Sequence, residues 1–252
     1  MRYFVFFAYN GAGYHGWQSQ PNALTVQQEM EQAFETLLQE PIALTAAGRT
    51  DAGVHASFMV AHFDTSNSLP ENLCFLLNQY LSNAISINRI QNVSDSAHAR
   101  FDALSRTYQY TISSVKNPFR YPYQYYIKGS LDLAQMNASA ALLLEYEDFE
   151  CFSKVNTDVK TFMCQIEKAH WESLENQYIF TIKANRFLRN MVRAIVGTLI
   201  EIGQGKRTLD SLYKTLRSKD RSQAGYSVPA HALFLTDIEY PKTLFKQYDS
   251  KD

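Results

Sequence analysis

Ala47-Gly48-Arg49-Thr50-Asp51-Ala52-Gly53-Val54-His55-Ala56 brings a guanidinium, a carboxylate and an imidazole close together in the chain, with a glycine on either side of the carboxylate. The chain is apolar and β-branched on both sides, over 41–47 before the stretch and 56–63 after it. This pattern predicts a loop between two strands, with the polar group at its tip. Gly48 and Gly53 admit positive φ or the close approach of another backbone. Functional side chains gather on such loops because the strands hold them still. Read residue by residue, two alternatives stay open. Asp51 is a turn or cap residue, or it is a carboxylate whose ionised form Arg49 favours, in a structural ion pair or in a working site.

Outward from the loop, the N-terminal half reads as alternating elements. Residues 2–9 form an aromatic-rich strand, and Asn10-Gly11-Ala12-Gly13 a glycine loop. This loop is not a dinucleotide site, because no helix opens on it; Trp17 and Pro21 come first. Thr25-Val26-Gln27-Gln28 reads as a capping box, opening a helix to about Gln39 with Val26, Met30, Phe34, Leu37 and Leu38 inward. A second helix is expected over 70–84, with Leu73, Leu76, Leu77, Tyr80 and Leu81 inward, and a strand over 85–93. Strand, helix, strand, strand, helix, strand is a ferredoxin-like, RNA-recognition-like β-α-β-β-α-β unit.

The second half reads similarly. A long strand is expected over 98–114, a helix over 131–144, and a hairpin over 163–174 and 178–184 around Glu175-Asn176. A helix over 187–202 ends at Gly203 as its C′ residue, a short helix over 208–217 is capped by Thr208, and a strand closes over 233–240. In the 187–202 helix, Arg186, Arg189 and Arg193 would share one face, with Leu188, Val192, Ile195 and Leu199 buried opposite. The expected fold class is α+β: two such halves, 1–103 and 104–252, with a central antiparallel sheet.

The chain's 252 residues, 46% hydrophobic and 19% charged, suit a globular protein. No stretch approaches the roughly 20 apolar residues of a membrane span, and the N-terminus reads as a strand rather than a leader. Cys74, Cys151 and Cys164 have neither disulfide nor zinc spacing, which fits a reducing cytoplasm. The formal charge is −1, but from Lys183 to Arg221 ten basic residues face three acidic ones, a net of +7. Such a tract is either a phosphate-binding surface or a solvated helical face.

Gly48-Arg49-Thr50-Asp51-Ala52-Gly53-Val54-His55 resembles the signature loop of the TruA family of tRNA pseudouridine synthases. Four further segments resemble that family in the expected order: Tyr9-Asn10-Gly11 with Gly16-Trp17-Gln18; Arg106-Thr107-Tyr108-Gln109-Tyr110; Asn185 to Arg193; and Ala230-His231-Ala232-Leu233-Phe234-Leu235. The resemblance implies two α+β halves around an active-site cleft, with Asp51 as the catalytic residue. It implies that Arg193 pairs with Asp51, that Tyr108 and Leu233 line the uridine pocket, and that Arg49 contributes to substrate binding. His55 touches RNA or supports the loop, and Arg106, Arg186 and Arg189 meet phosphates. Two departures stand out. Thr107 replaces the family's usual second arginine, and Ala232 replaces its glycine. On periodicity alone, Tyr108 and Tyr110 are strand aromatics facing one side.

The implied reaction isomerises uridines 38, 39 and 40 of the tRNA anticodon stem-loop, by a homodimer in the cytoplasm. It breaks N1–C1′ and joins C5 to C1′ without net redox change, so it calls for neither cofactor nor metal. Asp51 attacks C1′, attacks C6, or removes a sugar proton. A paired uridine must first be flipped out, at a cost of roughly a few kcal/mol. A carboxylate dyad of Asp51 with Asp64 or Asp102 is rejected, since nothing in the sequence brings them together. A metal site of Asp51, His55 and His62 is rejected because the two histidines fall on opposite faces of a strand. The cysteines are read as core. Two competing functions are a non-catalytic RNA-binding protein, for which a buried anion would be a handicap, and a synthase acting on another structured RNA.

Overall fold

The structure is a computed structural model and describes residues 1–155 and 159–245. It is mixed α and β, with mostly antiparallel strand pairing. The chain divides into two units, one of Met1–Leu104 together with the segment from Leu235 onward, the other of Ser105–Phe234.

The first unit contains β1 (Arg2–Tyr9), α1 (Val26–Leu38), β2 (Thr45–Ala46), β3 (His55–Asp64), α2 (Leu73–Tyr80) and β4 (Ile85–Val93). β1 pairs antiparallel with β3 on one side and β4 on the other, and β2 pairs antiparallel with β3. β1 supplies the core from both of its faces: Phe4, Val5, Phe6 and Phe7 are all buried, and Phe34 of α1 lies 4.9 Å from Phe63 of β3. Burying a side chain of this size contributes about 1.5–3 kcal/mol. Thr25 Oγ1 accepts from Gln28 N–H and caps α1, while the chain leaves that helix through Gln39 at φ 55°. α2 is shorter than its apolar run predicts: Leu73, Leu77 and Leu81 are buried, but Tyr80 is exposed.

The second unit contains β5 (Ser105–Ser113), β6 (Tyr125–Tyr126), α3 (Leu133–Leu142), β7 (Ile166–Leu174), β8 (Gln177–Ala184), α4 (Met191–Gly203) and α5 (Leu209–Ser218). β8 lies between β5 and β7, antiparallel to both. The expected strand over 98–114 is only β5. Residues 98–104 form turns instead, because Asp102 Oδ2 takes His98 N–H and Ala99 N–H donates to His62 Nδ1. β9 (Leu233–Glu239) begins in the second unit and runs into the first, where Ser57 Oγ of β3 reaches Leu235 O at 3.4 Å.

One device recurs in the two units. Asn78 of α2 donates to Ile87 O and accepts from Ile87 N–H of β4, both at 2.8 Å. Asn137 of α3 does the same for Trp171 of β7, at 3.0 and 2.8 Å. A side-chain amide thus satisfies an outer strand's unpaired backbone and covers it with a helix.

Candidate active site

The loop between β2 and β3 is tied down at Ala47, Thr50, Asp51, Gly53 and Val54. Ala47 N–H donates to Val60 O at 2.8 Å, and Tyr9 O–H meets Thr50 Oγ1 at 2.8 Å in a buried contact. Trp17 N–H reaches Thr50 O at 3.3 Å, Gly53 N–H reaches Tyr14 O at 3.2 Å, and Val54 N–H closes a turn onto Asp51 O at 3.1 Å. The glycine loop after β1 is therefore the partner of the Asp51 loop. A Cβ on Gly11 would lie 2.0 Å from Val54 O, and one on Gly16, at φ +93°, would lie 2.5 Å from Thr50 O. Side chains are excluded because two backbones interlock there. Gly53 has φ +77°, as expected, but Gly48 has neither positive φ nor a neighbour within 4 Å. Trp17 is buried beneath this junction, 5.4 Å from Phe7. Asp51 sits half-buried at the tip, and Arg49 is exposed.

His55 is 1% exposed, and its Nδ1 accepts from Gly11 N–H at 3.0 Å. Of the two roles named for it, this is loop support; burial removes it from direct RNA contact. The neutral ring carries its proton on Nε2.

In the second unit, Tyr108 on β5 is half-buried and meets Phe187 edge-on at 5.2 Å and 89°. Tyr110, two residues on, is fully buried, and its O–H donates to Pro229 O at 3.0 Å. Burial pushes the Tyr110 phenol far above its ordinary range. Arg106 donates to Asn185 O at 2.9 Å. Arg193 stands in the first turn of α4, where Nε donates to Val228 O at 2.7 Å and its own carbonyl takes Val228 N–H at 3.2 Å. The loop that receives it is seated on α4: a Cβ on Gly197 would lie 1.8 Å from Tyr226 O, and Gly225 N–H donates to Thr198 Oγ1 at 2.8 Å. Leu233 and Ala232 are both buried, so the small residue is accommodated.

The arginine stripe is corrected. The helix begins at Met191, so only Arg193 of the three lies on it. Arg186 and Arg189 belong to the preceding loop, which tertiary bonds pull out of helical geometry. Asn185 N–H donates to Gln165 O, and Asn185 Oδ1 takes Gln165 N–H; Arg186 donates to Thr161 O, and Lys154 N–H donates to Arg189 O. Asn190 turns left-handed at φ 67°, with its amide on Ser227 Oγ at 2.6 Å. Leu188, Val192, Ile195 and Leu199 are buried as expected. Gly203 is the last helical residue rather than C′. Its place is set by close packing, since a Cβ there would lie 2.4 Å from Met136 Sδ.

The rejected alternatives have occupations of their own. Asp64 is held bidentate by Arg2 at 2.7 and 2.8 Å, which keeps its carboxyl below the usual range. Asp102 caps His98. Burial pushes the thiols of Cys151 and Cys164 up, to about 12 and about 11. Among the described residues, no three or more His, Cys, Asp or Glu side chains gather as metal ligands, and no helix is long and apolar enough to cross a membrane.

The sequence matches the family model described as "tRNA pseudouridine synthase" over residues 5–102 and 140–241. It is 49% identical to tRNA pseudouridine synthase A of Bacteroides thetaiotaomicron, over 99% of this chain and 94% of that protein. The chain belongs to the tRNA pseudouridine synthase family. The synthase of the same name from Parabacteroides distasonis is 49% identical over 98% of this chain and 99% of its own length, and that from Brevibacillus brevis 38% identical over 92% and 97%. Of the motif-bearing segments of this pseudouridine synthase, the Asp51 loop and the Arg193 segment lie inside the matched regions, and the Arg106–Tyr110 segment lies between them.

Proposed function

We propose that the chain isomerises uridines 38, 39 and 40 of the tRNA anticodon stem-loop to pseudouridine, with Asp51 as the catalytic carboxylate and no cofactor. The placement of Asp51 carries this reading: it is half-buried at the tip of a loop that six backbone and side-chain bonds hold still. A fixed carboxylate is what each version of the chemistry requires, because misplacement by about 1 Å costs up to roughly a hundredfold in rate. N1–C1′ breaks, the uracil turns, and C5–C1′ forms. C5 gives its hydrogen to solvent, and N1 ends protonated.

Arg193, clamped to Val228, is on this reading the partner of the Asp51 carboxylate. Tyr108 presents an aromatic edge and a hydroxyl to the uracil, Leu233 is an apolar wall, and Arg49 holds the substrate. Arg106, Arg186 and Arg189 contact phosphates, which positions RNA without reading its sequence. His55 fixes the loop from behind. In the first unit the sequence order β1, α1, β2, β3, α2, β4 and the pairing of β1 between β3 and β4 support the ferredoxin-like reading. The same resemblance extends to a homodimer working in the cytoplasm.

The test uses tRNA transcripts tritiated at uridine C5. The native chain should release tritium into water from positions 38–40, and Asp51→Asn should release none while binding tRNA as well as before. Release from both proteins would remove Asp51 from the chemistry. No release from the native chain across several tRNAs would overturn the proposed reaction.

A further inference from the structure

Between Asp102 and Asp132 the chain has no acidic residue, yet it carries Arg106, Lys116, Arg120 and Lys128 and seven aromatic rings. The part after β5, Val115-Lys116-Asn117-Pro118-Phe119-Arg120-Tyr121-Pro122-Tyr123-Gln124-Tyr125-Tyr126-Ile127-Lys128, is a largely exposed arm of the second unit, with Tyr121 5.3 Å from the His231 ring. Phe119 is 89% exposed and Tyr121 62%, and Lys116, Arg120 and Lys128 are exposed among them.

The arm is fixed rather than loose. Asn117 Oδ1 accepts from Phe119 N–H and Arg120 N–H at 3.0 and 3.2 Å, an Asx turn. Tyr121 N–H returns to Asn117 O at 2.9 Å, and residues 121–123 form a 3-10 turn. Pro118 and Pro122 restrict φ at two further places. β6 pairs parallel with Ile112–Ser113 of β5, Ile127 N–H donates to Ser113 O at 3.0 Å, and His231 Nε2 lies 3.1 Å from Gln124 O. Fixed, exposed aromatic planes with cations between them, in a segment that carries no acid of its own, match what unpaired nucleotides need: faces to stack on and charges to hold the backbone.

We infer that residues 115–128 are an RNA-stacking arm on which unpaired nucleotides of the substrate lie against Phe119 and Tyr121, with Lys116, Arg120 and Lys128 on their phosphates. This rests on the proposed tRNA substrate and adds a binding surface away from the reacting uridine. The loss of stacking costs roughly a fivefold to a hundredfold in affinity per base.

The experiment compares native chain, Phe119→Ala, Phe119→Ala/Tyr121→Ala and Tyr121→Phe, all full length, for the dissociation constant of a tRNA transcript at fixed salt. It also compares tritium release at saturating tRNA and sedimentation of the free protein. The expected result is weaker binding by at least fivefold for Phe119→Ala, where near-complete exposure makes misfolding an inadequate explanation, and by more for the double variant. Tyr121→Phe should bind like the native chain because it keeps the ring. kcat and sedimentation should not change. Native affinity in the double variant would overturn the inference, as would altered self-association with tRNA affinity retained. Absence of tritium release from the native chain would instead count against the proposed reaction, since the arm's effect is read in binding.

Discussion

Gly16→Ala should damage this protein more than Gly48→Ala, although Gly48 lies inside the eight-residue signature and Gly16 far from it in sequence. A methyl at residue 16 would stand 2.5 Å from Thr50 O and 3.1 Å from the Asp51 carbonyl carbon. Ordinary C···O contacts begin near 3.3 Å, so the Thr50 carbonyl must retreat by roughly 0.8 Å. Its bond from Trp17 N–H, already 3.3 Å long, would be lost. An L-residue at φ +93° adds about 1–2 kcal/mol to the overpacking cost of about 1–3 kcal/mol. The sum, about 2–5 kcal/mol, corresponds to a fall in Tm of about 6–15 °C at roughly 3 °C per kcal/mol. Moving Asp51 by nearly an ångström should also cut turnover about ten- to a hundredfold in molecules that remain folded. Gly48→Ala meets nothing within 4 Å and needs no left-handed φ. It should leave turnover within about twofold and raise stability by up to about 1 kcal/mol through the unfolded chain. Thermal melts followed by circular dichroism, with tritium release at 25 °C, read both quantities. If Gly16→Ala melts and turns over like the native chain, or Gly48→Ala is the worse variant, the interlocked-loop account is wrong.

Three further predictions concern parts away from that junction. Burial, followed by the charges of Arg2 and His98, pushes the His62 imidazole down to about 4, while its Nδ1 accepts from Ala99 N–H. The unfolded chain therefore binds more protons than the folded one between about pH 6.5 and 4, so stability should fall by up to roughly 3 kcal/mol as pH drops through that window. Urea titrations at several pH values should show this slope for the native chain and a shallower one for His62→Asn; equal slopes would refute it. Asn78→Ala and Asn137→Ala each strip two hydrogen bonds from an outer strand and should each cost about 1–3 kcal/mol in chemical denaturation; a loss below about 0.5 kcal/mol would mean that water replaces the amides. Arg189→Ala, at an exposed loop position, should reduce the salt dependence of tRNA binding by about one phosphate, and an unchanged slope would take that arginine off the RNA surface.

What the sequence made legible follows the range of the forces involved. β1 and β4 have the expected limits, β3 is longer by a residue at each end and β8 by one at its start, because a short apolar, aromatic and β-branched run is written in neighbouring residues. The Asp51 loop was equally readable, being bounded by strands and rich in polar groups. What holds it was not: Tyr9, Gly11, Tyr14 and Trp17 meet it across some forty residues, and such contacts leave no local period. The start of α4 failed for the same reason, since residues 187–190 continue the helical pattern but Lys154 holds Arg189, and Ser227 holds Asn190, out of it.

Charge behaves likewise, and here counting along the chain misleads. The net +7 of the tract from Lys183 to Arg221 leaves a phosphate-binding surface and a solvated helical face equally admissible. Four of its cations are paired in the fold: Lys183 with Glu167, Arg207 with Glu201, Lys214 with Asp210, and Lys219 with Asp148. Two of those acids come from outside the tract, where a count over the tract does not see them. The run between Asp102 and Asp132 carries only four positive charges, and Lys116, Arg120 and Lys128 are exposed on a fixed arm. For phosphate binding, charge left uncompensated at the surface matters more than charge summed along the chain.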